Sequence, residues 1–435
     1  MSQPPPAHAT LDDWIAREAL PFSLAAPDTF AAAVAAVIAA LGDATALLGL
    51  GEPLHGGEEF LILRNRLFQR LVEAHGYTAI ALESSFPRAH VVDEYIAGRG
   101  SSYEAVRDAG FSHGWGRFDA NRELVGWMRR YNADPAHRVP LRFYGCDSPT
   151  EMTGTDSPRR PLMFALDYLA SVDATGDQGR RGRVAALLGR DAGWENPAAL
   201  MDPAQAVGAS PEAAALRIET EELLSELRVR RPELAPGDEG RYVEAVQHAA
   251  VARQLLNYHA ALARTSDDRI VELLGIREAL MADNLAYTVA RERDRGKVLV
   301  HAHNGHLQRG QLRWQLGPND LRYWPAGAHL DSMFGPRYAA IGTGVGISDA
   351  NGIGRPEADT LEARLIAAPG PGRFVPTHRG YGLPAAALAA LPTRSGSARN
   401  PGYFALTPGS LADFDWLAVL DAATYTRGGP PLPQR

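Results

Sequence analysis

The sequence predicts an α/β fold: a mixed sheet core flanked by helices, with an inserted all-helical subdomain. Three observations carry this. Short apolar runs such as Ala46–Leu50 and Tyr77–Leu82 stop at glycine or polar residues and alternate with helical periodicity. From about Thr150 to Asp294 only helical patterns appear. Strand signal then returns at Lys297-Val-Leu-Val300. The implied organisation is 1–150 as the first part of the core, 151–294 as a helical insertion covering the site, and 295–435 as the second part of the core.

In chain order, Thr10-Leu-Asp-Asp opens a short amphipathic helix with Thr10 as N-cap, and Asp28-Thr-Phe starts an Ala-rich helix leading to the first strand. That strand ends at Gly51-Glu52 and hands over to a loop bearing His55. Phe60, Leu61, Arg64, Leu67, Phe68, Leu71 and Val72 then recur at helical spacing. Arg64 stands within this apolar stripe, so it is expected to be buried and paired with a carboxylate, Glu52, Glu59 or Glu83 being the nearest candidates. After His75-Gly76 a second strand runs to Glu83-Ser-Ser. If the two strands are parallel neighbours, Glu52, His55 and Glu83 meet at their carboxyl ends, where open α/β sheets bind ligands.

Ala89–Ala97 continues helical. Phe111-Ser-His-Gly-Trp-Gly-Arg-Phe118 is a glycine-spaced aromatic loop whose His113, Trp115 and Arg117 are candidates for a pocket mouth. A helix over Arg122–Tyr131 precedes a third strand, Val139–Gly145, ending in Asp147 and Ser148. The insertion shows its clearest helices from Ser210 through Glu233, Arg241 through Ala263 and Asp267 through Arg293, with 178–190 and 203–210 read as loop-rich. On the last helix Arg277, Asp283 and Asn284 are polar points able to reach the site.

The strand at Lys297 runs into His301-Ala-His303-Asn-Gly-His306. Alternation places His301 and His303 on one face, and the Asn304-Gly305 turn can swing His306 back towards them. Further on, Gly402–Leu406 and Trp416–Leu420 read as more sheet, while Ile341-Gly-Thr-Gly-Val-Gly346 fails the dinucleotide fingerprint.

The 435 residues are 45% hydrophobic, enough for a large core. A formal charge of -7, from 44 basic and 51 acidic residues, provides no basic field for nucleic acid or an anionic membrane. The expected partner is a small neutral or weakly charged molecule. Cys146 is the single cysteine, so neither a disulfide framework nor a cysteine zinc cluster is available, which suits a reducing cytoplasm. No signal peptide or membrane span is read. A Gly-x-Ser-x-Gly string occurs at Gly110-Phe-Ser112-His-Gly114, but it lies in the aromatic loop and not on a strand-to-helix elbow, and there is no P-loop. Histidine, carboxylate and arginine remain, a set suited to direct attack by water or to holding a divalent metal.

Gly51-Glu52-Pro-Leu-His55, Arg64, Ala81-Leu-Glu83, Met281-Ala-Asp-Asn284 and Ala302-His-Asn-Gly-His306 together resemble the erythromycin esterase family, in matching order over most of the chain. The resemblance implies an α/β core with a helical subdomain and hydrolysis of a macrolide lactone ester without a covalent serine intermediate. It also implies His55 as general base, Glu52 and Glu83 orienting it or the water, and Arg64, His303 and His306 completing the pocket. His301 lies just outside the motif. No cofactor is required by this chemistry, although a divalent metal would fit the donors. The alternatives are acyl transfer to an alcohol or cyclisation in natural-product biosynthesis, and non-catalytic binding of a metal or small ligand.

Overall fold

The computed structural model describes residues 8–100, 102–147, 150–151, 154–173, 179–316 and 319–430. Ser148 and Gln178, named above at the end of a strand and the start of a loop, lie outside them. The central sheet has eight strands: β1 (Leu20–Phe22), β2 (Leu47–Glu52), β3 (Tyr77–Ser85), β4 (Arg142–Asp147), β5 (Lys297–His303), β6 (Tyr338–Ile347), β7 (Gly372–Pro376) and β8 (Trp416–Ala422). Their spatial order is β1-β7-β8-β6-β2-β5-β3-β4. From β8 to β4 all neighbours are parallel, whereas β7 runs antiparallel to both β1 and β8, so the sheet is mixed.

Strands β2, β3 and β6 are buried almost throughout, which is why their sequences read as continuous apolar runs. Alternate residues feed two layers. Leu48, Leu50, Ile80, Leu82 and Leu299 face one side, with α2 (Pro27–Leu41), α3 (Glu58–His75), α4 (Phe86–Ile96) and α5 (Asp119–Ala133). Leu47, Ala79, Ala81, Val298 and Val300 face the other, with α1 (Leu11–Glu18) and later helices. Thr10 caps α1 as expected, its hydroxyl accepting from the Asp13 N–H at 3.0 Å.

The helical part contains α6 (Arg159–Val172), α7 (Arg180–Leu188), α8 (Pro211–Val229), α9 (Glu239–Leu262) and α10 (Arg269–Glu292). The first four build their own core around Leu162, Leu216, Leu223 and Leu256. Helix α10 differs: Met281, Ala282, Leu285 and Val289 pack on the sheet, so it serves as the crossover between β4 and β5.

Several expectations are corrected. The strands β2 and β3 are not neighbours, because β5 lies between them. Residues 180–188, read as loop, form α7, and 203–209 forms two short 3₁₀ turns. The third strand starts at Arg142, since Pro140 has no N–H to add to a ladder. Residues 402–406 are irregular, anchored by Phe404 N–H to Pro53 O at 2.7 Å and Leu406 N–H to Glu362 Oε1 at 2.7 Å. The glycines of 341–346 are packing features: side chains at 342 and 344 would strike Phe414 and Leu406.

Candidate active site

The site is built at the carboxyl ends of β2, β5 and β3, with a contribution from α10. Register pairs Glu52 with His303 and Leu82 with His301, so Glu52 and Glu83 flank the end of β5. Close approach there depends on Gly51. A Cβ at this position would sit 2.0 Å from Asn304 Oδ1. The Asn304 amide lies across the glycine and bonds both ways with Thr343, its Nδ2–H donating to the carbonyl at 2.7 Å and its Oδ1 accepting from the N–H at 3.0 Å. Thr343 Oγ1 donates to Gly51 O at 2.9 Å.

Glu52 is buried and faces two imidazoles. Its Oε1 is 2.7 Å from His55 Nδ1, and its Oε2 is 3.4 Å from His301 Nε2. Burial pushes the Glu52 carboxyl up, but the two histidines outweigh it and bring the pKa down to about 2. An ionised Glu52 can only accept, so the His55 hydrogen sits on Nδ1 and leaves the Nε2 lone pair bare. That Nε2 lies 3.8 Å from Glu83 Oε1, and the ring, 42% exposed, is the open member of the group. Desolvation opposes charge on His55, yet Glu83 and Glu52 raise its pKa above the ordinary value.

Glu83 is an acceptor for three groups. Its Oε2 takes the His303 backbone N–H at 2.7 Å, and its Oε1 lies 3.1 Å from His306 Nε2 and 3.4 Å from Arg277 Nη2. Despite burial, these cations hold it well below the usual carboxylate range. His306 Nδ1 lies 2.7 Å from Glu278 Oε1, so the ring is bracketed by two carboxylates. Burial is outweighed and its pKa rises to about 10, making His306 a fixed imidazolium. His303 is the opposite case. Its Nε2 faces Gly402 O at 2.8 Å and its Nδ1 accepts from the Gly305 N–H at 3.2 Å, which defines a neutral ring. Burial and the nearby His55 lower its pKa to about 4.

The structure therefore brings Glu52, His55, Glu83, His303 and His306 together. His55 and His303 ring centroids are 5.2 Å apart. His301 lies beneath them, buried, with Nδ1–H donating to Leu50 O at 3.0 Å and Nε2 facing Glu52. Trp115 flanks His55 at 5.1 Å, with the His113 ring tilted against it at 4.8 Å from an exposed, left-handed backbone position. Arg117 turns outward to Asp108 at 3.2 Å. Asn284 is buried, donating to Cys146 O at 3.1 Å and accepting from Gln247 at 2.9 Å, so it ties α10 to β4 and α9 away from the mouth.

Arg64 is buried as expected, but no carboxylate lies within 4.0 Å of it among the described residues. Its Nε and Nη2 donate to Asn65 Oδ1 at 3.0 and 2.7 Å. The expected partners are engaged elsewhere: Glu59 accepts from Thr424, while Glu52 and Glu83 serve the histidines. Burial dominates and lowers the Arg64 pKa to about 10, with Glu52 as the leading favourable charge.

Two important residues were not assigned from the sequence. Arg277, marked as a polar point, grips Asp147 with two bonds at 3.1 and 2.8 Å and reaches Glu83. Glu278, unmarked, holds His306 and also accepts the Ala326 N–H at 2.8 Å. Its signal was available: Leu274, Met281 and Ala282, one turn away on either side, are apolar. Among the described residues, the one group of three donors within 4.8 Å of one another lies outside this site.

Fold and site define a mixed α/β protein with a histidine–carboxylate cleft at the carboxyl edge of its parallel strands. The chain belongs to the erythromycin esterase family, whose model matches residues 72–421. That match includes Glu83 and the 301–306 segment and begins after His55. Erythromycin esterase type II from Escherichia coli is 24% identical over 337 residues, 76% of each chain. Solved structures share the fold at 19% identity. A protein from Bacillus cereus has a TM-score of 0.75, covering 97% of this chain and 98% of that one. A succinoglycan biosynthesis protein gives 0.70, with 96% and 98% covered. A mutant of the erythromycin esterase EreC in its open conformation gives 0.66, with 95% and 99% covered.

Proposed function

We propose that this protein is a carboxylic ester hydrolase acting on a macrolactone or a related natural-product ester, with His55 activating water and no metal or other cofactor taking part. The observation that supports this best is the 2.7 Å contact between Glu52 and His55 Nδ1, which leaves Nε2 as a bare base at the open side of the cleft. In this reading His55 Nε2 takes a proton as the water oxygen bonds to the ester carbon. The carbonyl oxygen becomes an oxyanion in the field of the His306 imidazolium. Collapse breaks the bond to the alkoxy oxygen, which takes the proton back from His55, giving acid and alcohol.

Side-chain nucleophiles have little support. Burial pushes the Cys146 thiol well up, and Ser84, Ser85 and Ser112 are buried. The Ser84 and Ser112 hydroxyls lie 3.3 Å apart, and Ser112 Oγ accepts the Ser85 N–H. Trp115 beside His55 offers an apolar wall for a neutral substrate.

The test is product mass after incubation with a panel of macrolactones and simple esters. Hydrolysis adds one water, transfer to an alcohol adds that alcohol, and a binding protein returns the ligand unchanged. In oxygen-18 water under single turnover the label is expected in the product acid. His55→Ala should retain the fold and lose about a hundred- to ten-thousand-fold in rate. An acylated side chain trapped in the wild type would overturn the mechanism.

A further inference from the structure

Far from this cleft, a second set of donors converges at the β1-β7 edge of the sheet. His8 precedes α1, Glu18 is the last residue of α1, and His378 follows β7. In the sheet, β8 and β6 separate β7 from β2. Single ligand atoms of His8, Glu18 and His378 all lie within 4.8 Å of one another, the one such group among the described residues.

The spacings suit shared coordination. His8 Nε2 is 3.2 Å from Glu18 Oε1, and His378 Nε2 is 3.3 Å from Glu18 Oε2. Two ligands at about 2.0–2.1 Å from a tetrahedral zinc ion stand about 3.3 Å apart. His8 is also an unusual histidine. Its side chain is fully buried, yet among the described residues neither ring nitrogen has a hydrogen-bond partner, although Glu18 is close to one of them. Glu18 is satisfied by His378 and by solvent, but a fully buried imidazole with neither nitrogen bonded is left unsatisfied unless a further body lies beside it.

The other nitrogen, Nδ1, lies 3.9 Å from Asp13 Oδ2, too far for a hydrogen bond. Glu18 and His378 are partly exposed, giving access to an ion and to water as a further ligand. The backbone brings the donors together independently. His8 N–H donates to Gly382 O at 3.0 Å, and Trp14 Nε1–H donates to Pro376 O at 3.0 Å. The turn itself is unusual: His378 and Arg379 both adopt left-handed backbone at φ 50° and 53°.

We propose that His8, Glu18 and His378 form a binding site for a divalent transition metal, zinc being the ion best suited to two imidazoles and a carboxylate. The ion clasps the segment ahead of α1 and the end of that helix to the turn after β7. Its role is structural, because the donors lie across the sheet from His55.

The test uses the full chain stripped of metal with a chelator, then titrated with zinc against a chromophoric competitor. One zinc per chain is expected at micromolar Kd or tighter, with a rise in Tm. Glu18→Gln and His378→Ala should each weaken binding at least tenfold and cancel the zinc-dependent Tm rise. His55→Ala should bind zinc like the wild type. Cobalt(II) in the wild type should give visible absorption bands that Glu18→Gln, shown by circular dichroism to be folded, removes. Absence of stoichiometric zinc binding by the wild type, or binding indifferent to both substitutions, overturns the site. So does loss of binding in His55→Ala, which would move the metal to the cleft.

Discussion

The four cleft histidines show how surroundings divide one residue type into different roles. His55 rests on an ionised carboxylate and keeps a bare nitrogen, His303 is fixed neutral by a carbonyl and an N–H, and His306 is fixed charged by two carboxylates. His301 sits underneath as a support for Glu52. Because the His55 pKa is raised, the base form is lost as pH falls through a value above 6.5, so the acidic limb of a kcat/KM profile should lie on the alkaline side of an ordinary histidine. Glu52→Gln removes part of that upward pull. Its acidic limb should move to lower pH while the plateau falls, which a purely structural role for Glu52 would not produce. His306 gives a stability prediction. Its folded-state pKa of about 10 exceeds the ordinary 6.5, so the stabilisation is complete below about pH 6.5 and is lost as pH rises through about 10. Between those values the wild type should lose up to about 1.4 kcal/mol per pH unit relative to His306→Gln in urea unfolding.

At the scale of elements, the site depends on strands β2 and β5 ending side by side. Gly51 permits this because the Asn304 side chain occupies the space a Cβ would need. Gly51→Ala must displace an amide bonded to both the N–H and the carbonyl of Thr343, so we expect a loss of about 1–3 kcal/mol and a larger fall in turnover. Adding Asn304→Ser should recover part of the stability in a double-mutant cycle; independent, additive effects would show that the contact is not the cause. Helix α10 is the other critical element. It packs on the sheet through Met281 and Leu285 while carrying Arg277 and Glu278 into the cleft, so one helix fixes both core and charge.

Across the whole molecule, the helical part meets the sheet through a small apolar contact as well as through α10. Val251 and Leu255 of α9 pack with Phe86 of α4 and Tyr287 of α10. Leu255 is fully buried, and Leu255→Ala should cost about 2–5 kcal/mol, measured by urea unfolding. If the helical part positions substrate, as expected from its insertion between β4 and β5, the same variant raises KM more than it lowers kcat. An unchanged KM would confine that part to a scaffolding role.

Strand ends and helical periods were legible in the sequence because they are local. Buried parallel strands read as apolar runs, and Glu52, Glu83 and His303 stand where three of them stop. The burial of Arg64 followed from its place in an apolar stripe by the same reasoning. That reasoning, applied to Glu278, would have marked it too. What period and spacing do not contain is which strand lies beside which. The chain travels from β4 through the helical part before β5 returns between β2 and β3, and only that placement puts His303 between the two glutamates. Nor do they say which charges meet. Arg64 ended on Asn65 because Glu52, Glu59 and Glu83 were already engaged, and His303 met the Gly402 carbonyl across 99 residues of chain. Those are contacts between distant segments, decided by competition among buried polar groups for the few partners that folding brings within reach.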